Sequence, residues 1–213
     1  MAATVPLVNR AAGDLLTTTL WNTYVVANIN KLLNQAHRKV TVAQFAALTG
    51  IEDGDEVYLE VDSTNGIEWH LVYRTAEATY KWRFLGGPPM QAEVLTEEPT
   101  ASATYAALAT AGPSIAIPRA GDYDVELGSR ATGVTSAMVM SHSYDIGAVG
   151  AVDADATVGV ADAVNRSFYG RRFRRKAGLT AVSLVSKYKA SANTGYWNNR
   201  SIVVLPVRIR HDA

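Results

Sequence analysis

Residues 121–130 read GDYDVELGSR. Apolar Tyr123, Val125 and Leu127 alternate with acidic Asp124 and Glu126. Successive side chains of a strand point to opposite faces, so this period of two predicts a β-strand with one face inward and one in water. The same rhythm recurs on both sides. SAMVMSHSYDIG at 136–147 alternates Met138, Met140, His142 and Tyr144 with smaller residues. LTAVSLVSKYKAS at 179–191 sets Val182, Leu184 and Tyr188 against Ser183, Lys187 and Lys189. RSIVVLPVRIR at 200–210 suggests an inward face of Val203, Leu205, Val207 and Ile209. Short strands spaced by glycine and polar turns predict an antiparallel sandwich or jelly roll over residues 101–213.

Upstream, residues 41–90 read as a smaller β module. TVAQFAAL suggests a short helical turn. EVYLEVD puts Val57, Leu59 and Val61 on one face, and Asn65-Gly66 then signals a hairpin. Ile67, Trp69, Leu71 and Tyr73 line the next strand, and Tyr80, Trp82 and Phe84 the one after. The aromatics serve either as the module's core or as an exposed platform for sugar rings. GGPPMQAEVLTEEPTASAT, rich in turn residues, marks a boundary, and residues 91–100 are expected as a linker.

Residues 1–40 hold the one long helical pattern. Trp21, Val25, Ile29, Leu32 and Leu33 recur at three- and four-residue spacing, and Thr17, Thr18 or Thr19 can cap the start. So short a helix is marginal alone in water. It must pack either on its own domain or on copies of itself. The fold class expected is therefore mainly β, with an N-terminal α-helix, an antiparallel meander and a C-terminal sandwich.

The formal net charge is zero, but it is unevenly spread. Residues 1–40 carry +3, 41–95 carry −6, 96–160 carry −6 and 161–213 carry +9. Such separation suits self-association, or opposite faces of one domain that pair. A nucleic-acid binder is usually basic overall. Arg171, Arg172, Arg174, Arg175 and Lys176 form the densest basic run. As a strand, it would put Arg172, Arg174 and Lys176 on one face and Arg171, Phe173 and Arg175 on the other. The run is a candidate for an acidic neighbour within the protein, for a host glycan or other acidic polymer, or, less favourably, for nucleic acid.

Catalytic and metal signatures are sparse. There is no cysteine, which excludes disulfides and thiolate chemistry. No phosphate loop, dinucleotide fingerprint or nucleophile elbow occurs. His37, His70, His142 and His211 lie far apart, as expected of surface or satisfied core residues. EDGDE at 52–56 lacks calcium-loop spacing and reads as an acidic turn. DADA at 153–156 offers either a loop cation site or a solvated turn. The expectation is a protein with no enzymatic activity, no catalytic or metal-binding residues and no cofactor. No apolar run is long enough to span a membrane, and no basic-then-apolar leader opens the chain.

Taken in order, the pieces resemble bacteriophage virion proteins. GDLLTTTLWNTYVVANINKLL, residues 13–33, is similar to the N-terminal helix of small fibre and minor tail proteins. The module at 40–74, with its closing YKWRFLGG at 80–87, resembles a β module recurrent in such proteins. AGDYDVELGSR, GLTAVSLVSKY and RSIVVLPVRIR are similar in rhythm to the trimeric jelly roll of the tumour-necrosis-factor and complement type. The resemblance implies a virion location after synthesis in the host cytoplasm. It implies a homotrimeric short fibre or spike whose N-terminal helix trimerises and binds other virion proteins. The jelly roll would meet the host surface, through a glycan. The alternative is a head fibre or capsid decoration that stabilises the shell.

Overall fold

The computed structural model describes residues 38–161 and 166–211, with residues 25, 26 and 29 as isolated positions. The N-terminal helix expected over 1–40, with Trp21, Leu32 and Leu33, lies outside the described residues. Of the described positions in that stretch, Val25 is half-buried and Ile29 exposed. The chain divides into two compact units, Met1–Gly87 with Arg210–Ala213, and Pro88–Ile209.

In the first unit, β1 (Lys39–Thr41) runs parallel to β2 (Glu56–Asp62), which pairs antiparallel with β3 (Ile67–Tyr73) and on to β4 (Trp82–Gly86). A single turn of helix, α1 (Val42–Ala46), follows β1. Thr41 Oγ1 accepts from the Gln44 amide, and the Gln44 side chain accepts from the Thr41 amide. This reciprocal capping box closes a helix too short to stand alone. The Asp62 carboxylate accepts from the Thr64 and Asn65 amides and the Asn65 side chain, which pulls the carboxyl below its usual range. The hairpin turn spans residues 63–66, and only Gly66, at φ 66°, takes the left-handed conformation. The aromatic face is the core: Trp69, Trp82, Tyr73 and Phe45 are buried, with Trp82 tilted against Phe45 at 5.2 Å. That overturns the sugar-platform reading.

The second unit is a sandwich of two antiparallel sheets. One runs β11 (Arg166–Leu179), β8 (Gly121–Gly133), β13 (Gly195–Ile209), then β5 (Met90–Val94) and β6 (Glu98–Thr100). The other runs β10 (Thr157–Ala161), β9 (Met138–Ile146), β12 (Ser183–Ala190), β7 (Ser114–Ala116). With β5 and β6 counted as one interrupted first strand, the sheets read 1-8-3-6 and 2-7-4-5, the connectivity of a jelly roll. Residues 91–100 are therefore not a linker. Their one proline, Pro99, sits on an edge strand, where a missing amide costs little.

The alternation expected for β8, β9 and β12 holds. Tyr123, Val125, Leu127, Met138, Met140, His142, Tyr144, Leu184 and Tyr188 are all buried. The last strand differs. Ile202, Val204 and Ile209 face inward, not Val203, Leu205 and Val207. Irregularities between Asn198 and Ser201, and between Pro206 and Arg208, shift the register and flip the faces.

Candidate functional site

The basic run lies on β11, an edge strand paired only with β8 among the described strands. Its register fixes its chemistry. Phe173 sits opposite Glu126 and Arg175 opposite Asp124 on the outer face, while Arg174 sits opposite Val125 and Lys176 opposite Tyr123 on the inward side. On the outer face, Arg171 Nε donates to Glu126 Oε1 at 2.6 Å. Arg175 donates to both Asp124 oxygens, at 2.8 and 2.9 Å. This fork-to-fork geometry is the strongest form of such a pair, and it raises the Arg175 pKa further. On the inward side, Lys176 bonds the nearly buried Asp155, and Arg174 stands 3.8 Å from the same carboxylate. Four of the five cations thus meet carboxylates of their own unit. Arg172 is exposed and has no partner among the described residues.

DADA is half a solvated turn, with Asp153 and Ala154 exposed, and half an internal anchor, with Asp155 and Ala156 buried. Asp155 is 3% exposed and anchors the basic run, while Asp153 binds Lys189 and Tyr105. Among the described residues, no group of three or more His, Asp or Glu side chains could hold a metal.

Phe173 was expected beside Arg171 and Arg175, but its apolar neighbours Tyr169, Val158 and Val160 were not singled out from the sequence. Tyr169 and Phe173 are 58% and 59% exposed on the outer face of β11. Val158 and Val160 are 52% and 56% exposed on β10, the neighbouring edge strand of the other sheet, and Val160 lies opposite Val139. Burial alternates along β10, while residues 171–175 of β11 are exposed on both faces. The apolar residues are simply on the wet side. The signal available in sequence was the period-two spacing of Val158 and Val160 in TVGVA; Tyr169 and Phe173 flank Arg171 on one face and carry no such signal.

A second feature is an open cleft of about 650 Å³ over the outer face of β9 and β12. Tyr105, Val152, Asp145, Asp153, Lys187 and Lys189 line it. Lys187 pairs with Asp145 at 3.2 Å, and Lys189 lies over the Tyr105 ring at 4.6 Å. Lys189 and Tyr105 hold the Asp153 carboxyl below its usual range. Burial and Asp153 push the Tyr105 hydroxyl up. Neither group is poised for proton transfer near neutral pH.

The histidines divide. His70 stacks on Tyr58 at 4.5 Å and meets Glu56 at 2.8 Å. His211 Nδ1 accepts from Trp82 Nε1 at 3.2 Å. His142 is buried between the sheets with neither ring nitrogen hydrogen-bonded, so it is not the satisfied core residue expected.

No protein-family model matches the chain, and no curated protein does. Solved structures share a distant likeness. Eiger, a TNF from S. frugiperda, aligns over 59% of this chain and 95% of its own at 9% identity and a TM-score of 0.39. Infectious bursal disease virus of the Gx strain aligns over 68% of this chain and 43% of its own, at 10% identity and a TM-score of 0.34. The VP2 protein of that virus, in T=1 particles, aligns over 75% and 45%, at 9% identity and a TM-score of 0.37. At such scores the likeness carries no weight for function, and the jelly roll rests on the strand order itself.

Proposed function

We propose that this chain is a structural protein of a phage virion, without enzymatic activity, that works as a homotrimeric short fibre or spike. Its N-terminal region binds the virion and its jelly roll is the exposed end. The observation that carries the self-association is the edge made by β10 and β11. Val158, Val160, Tyr169 and Phe173 stand in water there, on two strands whose outer backbone pairs with no other strand among the described residues. Exposed apolar patches and open edges mark contact surfaces in soluble proteins.

The run's own ion pairs favour a protein partner over an acidic polymer. Arg171, Arg174, Arg175 and Lys176 already pair with three carboxylates, Glu126, Asp124 and Asp155. The remaining field is small, while the apolar side chains are unspent. A second copy of the chain is the occupant this edge suits. Contact of the jelly roll with a host-surface glycan is the further part of the reading.

Light scattering on a sizing column tests the assembly. The expected mass is three times the 22.9 kDa of one chain, falling to one copy in a Val160→Asp, Phe173→Asp double variant. A wild-type monomer at micromolar concentration refutes the trimer. Gold-labelled antibody on virions tests the location: label at the tail tip supports a spike, and label across the head replaces it with capsid decoration. Failure of the assembled protein to bind any host cell or glycan removes the receptor contact.

A further inference from the structure

Arg200, on β13, is completely buried between the sheets. Its guanidinium reaches two carbonyls, Thr96 O at 3.1 Å and Thr110 O at 3.4 Å. No carboxylate among the described residues pairs with it, and its Nε has no hydrogen-bond partner. A buried cation without a counter-charge is among the costliest features a core can hold. Neutralisation by losing a proton is closed to arginine.

Its other polar neighbours are two hydroxyls and an imidazole, none of which carries a negative charge. The Arg200 guanidinium lies 5.5 Å from the centre of the Tyr188 ring. Tyr188 Oη and Ser186 Oγ are buried side by side next to Arg200, and neither makes a well-aligned hydrogen bond among the described residues. His142 stacks on the other half of this arrangement, 4.6 Å from the Tyr188 ring centre, also unbonded. Burial, with Arg200 second, pushes the His142 pKa down to about 3. The imidazole is therefore neutral at pH 7 and adds an N–H donor without a second charge. Orphaned donors around one cation are rare in native cores, where nearly every buried polar atom is satisfied.

We infer that Arg200, with Tyr188 and Ser186, binds a small inorganic anion of chloride size inside the sandwich. The anion supplies the missing charge and accepts from groups that otherwise have no acceptor. A side chain added at Gly112 would stand 2.8 Å from Tyr188 Oη and 3.0 Å from Ser186 Cβ, so the backbone packs tightly against these two residues and leaves no room there for a large anion. A monatomic halide fits this description better than a sulfate or an organic acid.

The experiment is urea unfolding of the wild-type chain at constant ionic strength, with chloride replacing gluconate. A site present only in the folded state raises the folded-to-unfolded ratio about tenfold for each tenfold rise in chloride above its dissociation constant. The Arg200→Met variant is expected to lose that dependence. Should this variant fail to fold, crystals of the wild type grown in bromide decide the matter. An anomalous peak beside the Arg200 guanidinium is expected. A ratio independent of chloride, or bromide absent from that position, overturns the site and leaves a buried water as the acceptor.

Discussion

Acidification should unfold this protein partly through one residue. His142 is 1% exposed, and burial, with Arg200 second, pushes its pKa down to about 3 from the ordinary 6.5. A histidine depressed in this way stabilises the fold above the unfolded pKa. That stability is lost as pH falls through 6.5 toward 3, because the unfolded chain takes up a proton the folded chain refuses. From the two pKa values, lowering the pH from 7 to 4 should cost about 3 kcal/mol through this group alone. Carboxylates add their own loss at the acid end, so the perturbation is compared with a His142→Phe variant. Phenylalanine keeps the ring against Tyr188 and removes two unbonded nitrogens. At pH 7 the variant should be as stable as the wild type or more so, since replacing an unsatisfied buried polar group by an apolar one of similar shape is close to neutral. At pH 4 it should be the more stable by about 3 kcal/mol. Urea unfolding at fixed protein and chloride concentrations, read at both pH values, gives the difference. Equal pH dependence in the two chains would refute the buried neutral imidazole.

Other outcomes follow from single contacts. Gly159→Ala would bring a methyl within 1.9 Å of the Phe168 ring, and overpacking of this kind should cost about 1–3 kcal/mol by urea unfolding. Asp155→Ala removes the shared partner of Lys176 and Arg174; since both cations keep some access to water, a loss of roughly 2–3 kcal/mol is expected, below that of a fully buried pair. Arg171→Ala, which breaks an exposed pair, should change stability by less than about 1 kcal/mol. Thr41→Ala uncaps α1 and should cost about 1 kcal/mol, seen in the first unit's unfolding and not in the second's.

The contrast between what could and could not be read from the chain is physical. Burial on one face writes a period of two into β8, β9 and β12, so their inward residues were legible. The two irregularities in β13 are one-residue events, invisible to a period-two pattern, and they reverse Val203 and Val204. β10 went unrecognised because Val158 and Val160 put the apolar residues outward and leave small Gly159 and Ala161 inward. The basic run was placed correctly inside a strand, yet its partners were not apparent. Asp124 and Glu126 lie 45 to 51 residues away and meet it only through the β8 register. The Arg200 cluster draws on positions 142, 186, 188 and 200, and no local spacing links three strands. The residues on β11 that the sequence singled out are real neighbours, but the exposed Tyr169 and Phe173 beside them set the character of that edge.

The seam between β10 and β11 has an evolutionary consequence. Gly159 makes room for Phe168, and Gly170, where a side chain would stand 2.2 Å from Thr157 Oγ1, makes room for Thr157. Each strand thus supplies one protrusion and one notch to the other. Neither member of a pair can grow alone, and a shrunken protrusion leaves a void. Drift at positions 159 and 168, and separately at 157 and 170, should therefore proceed by paired exchange. In a set of diverged descendants these two couples would change together, while the exposed Arg171 and Arg172 beside them change freely.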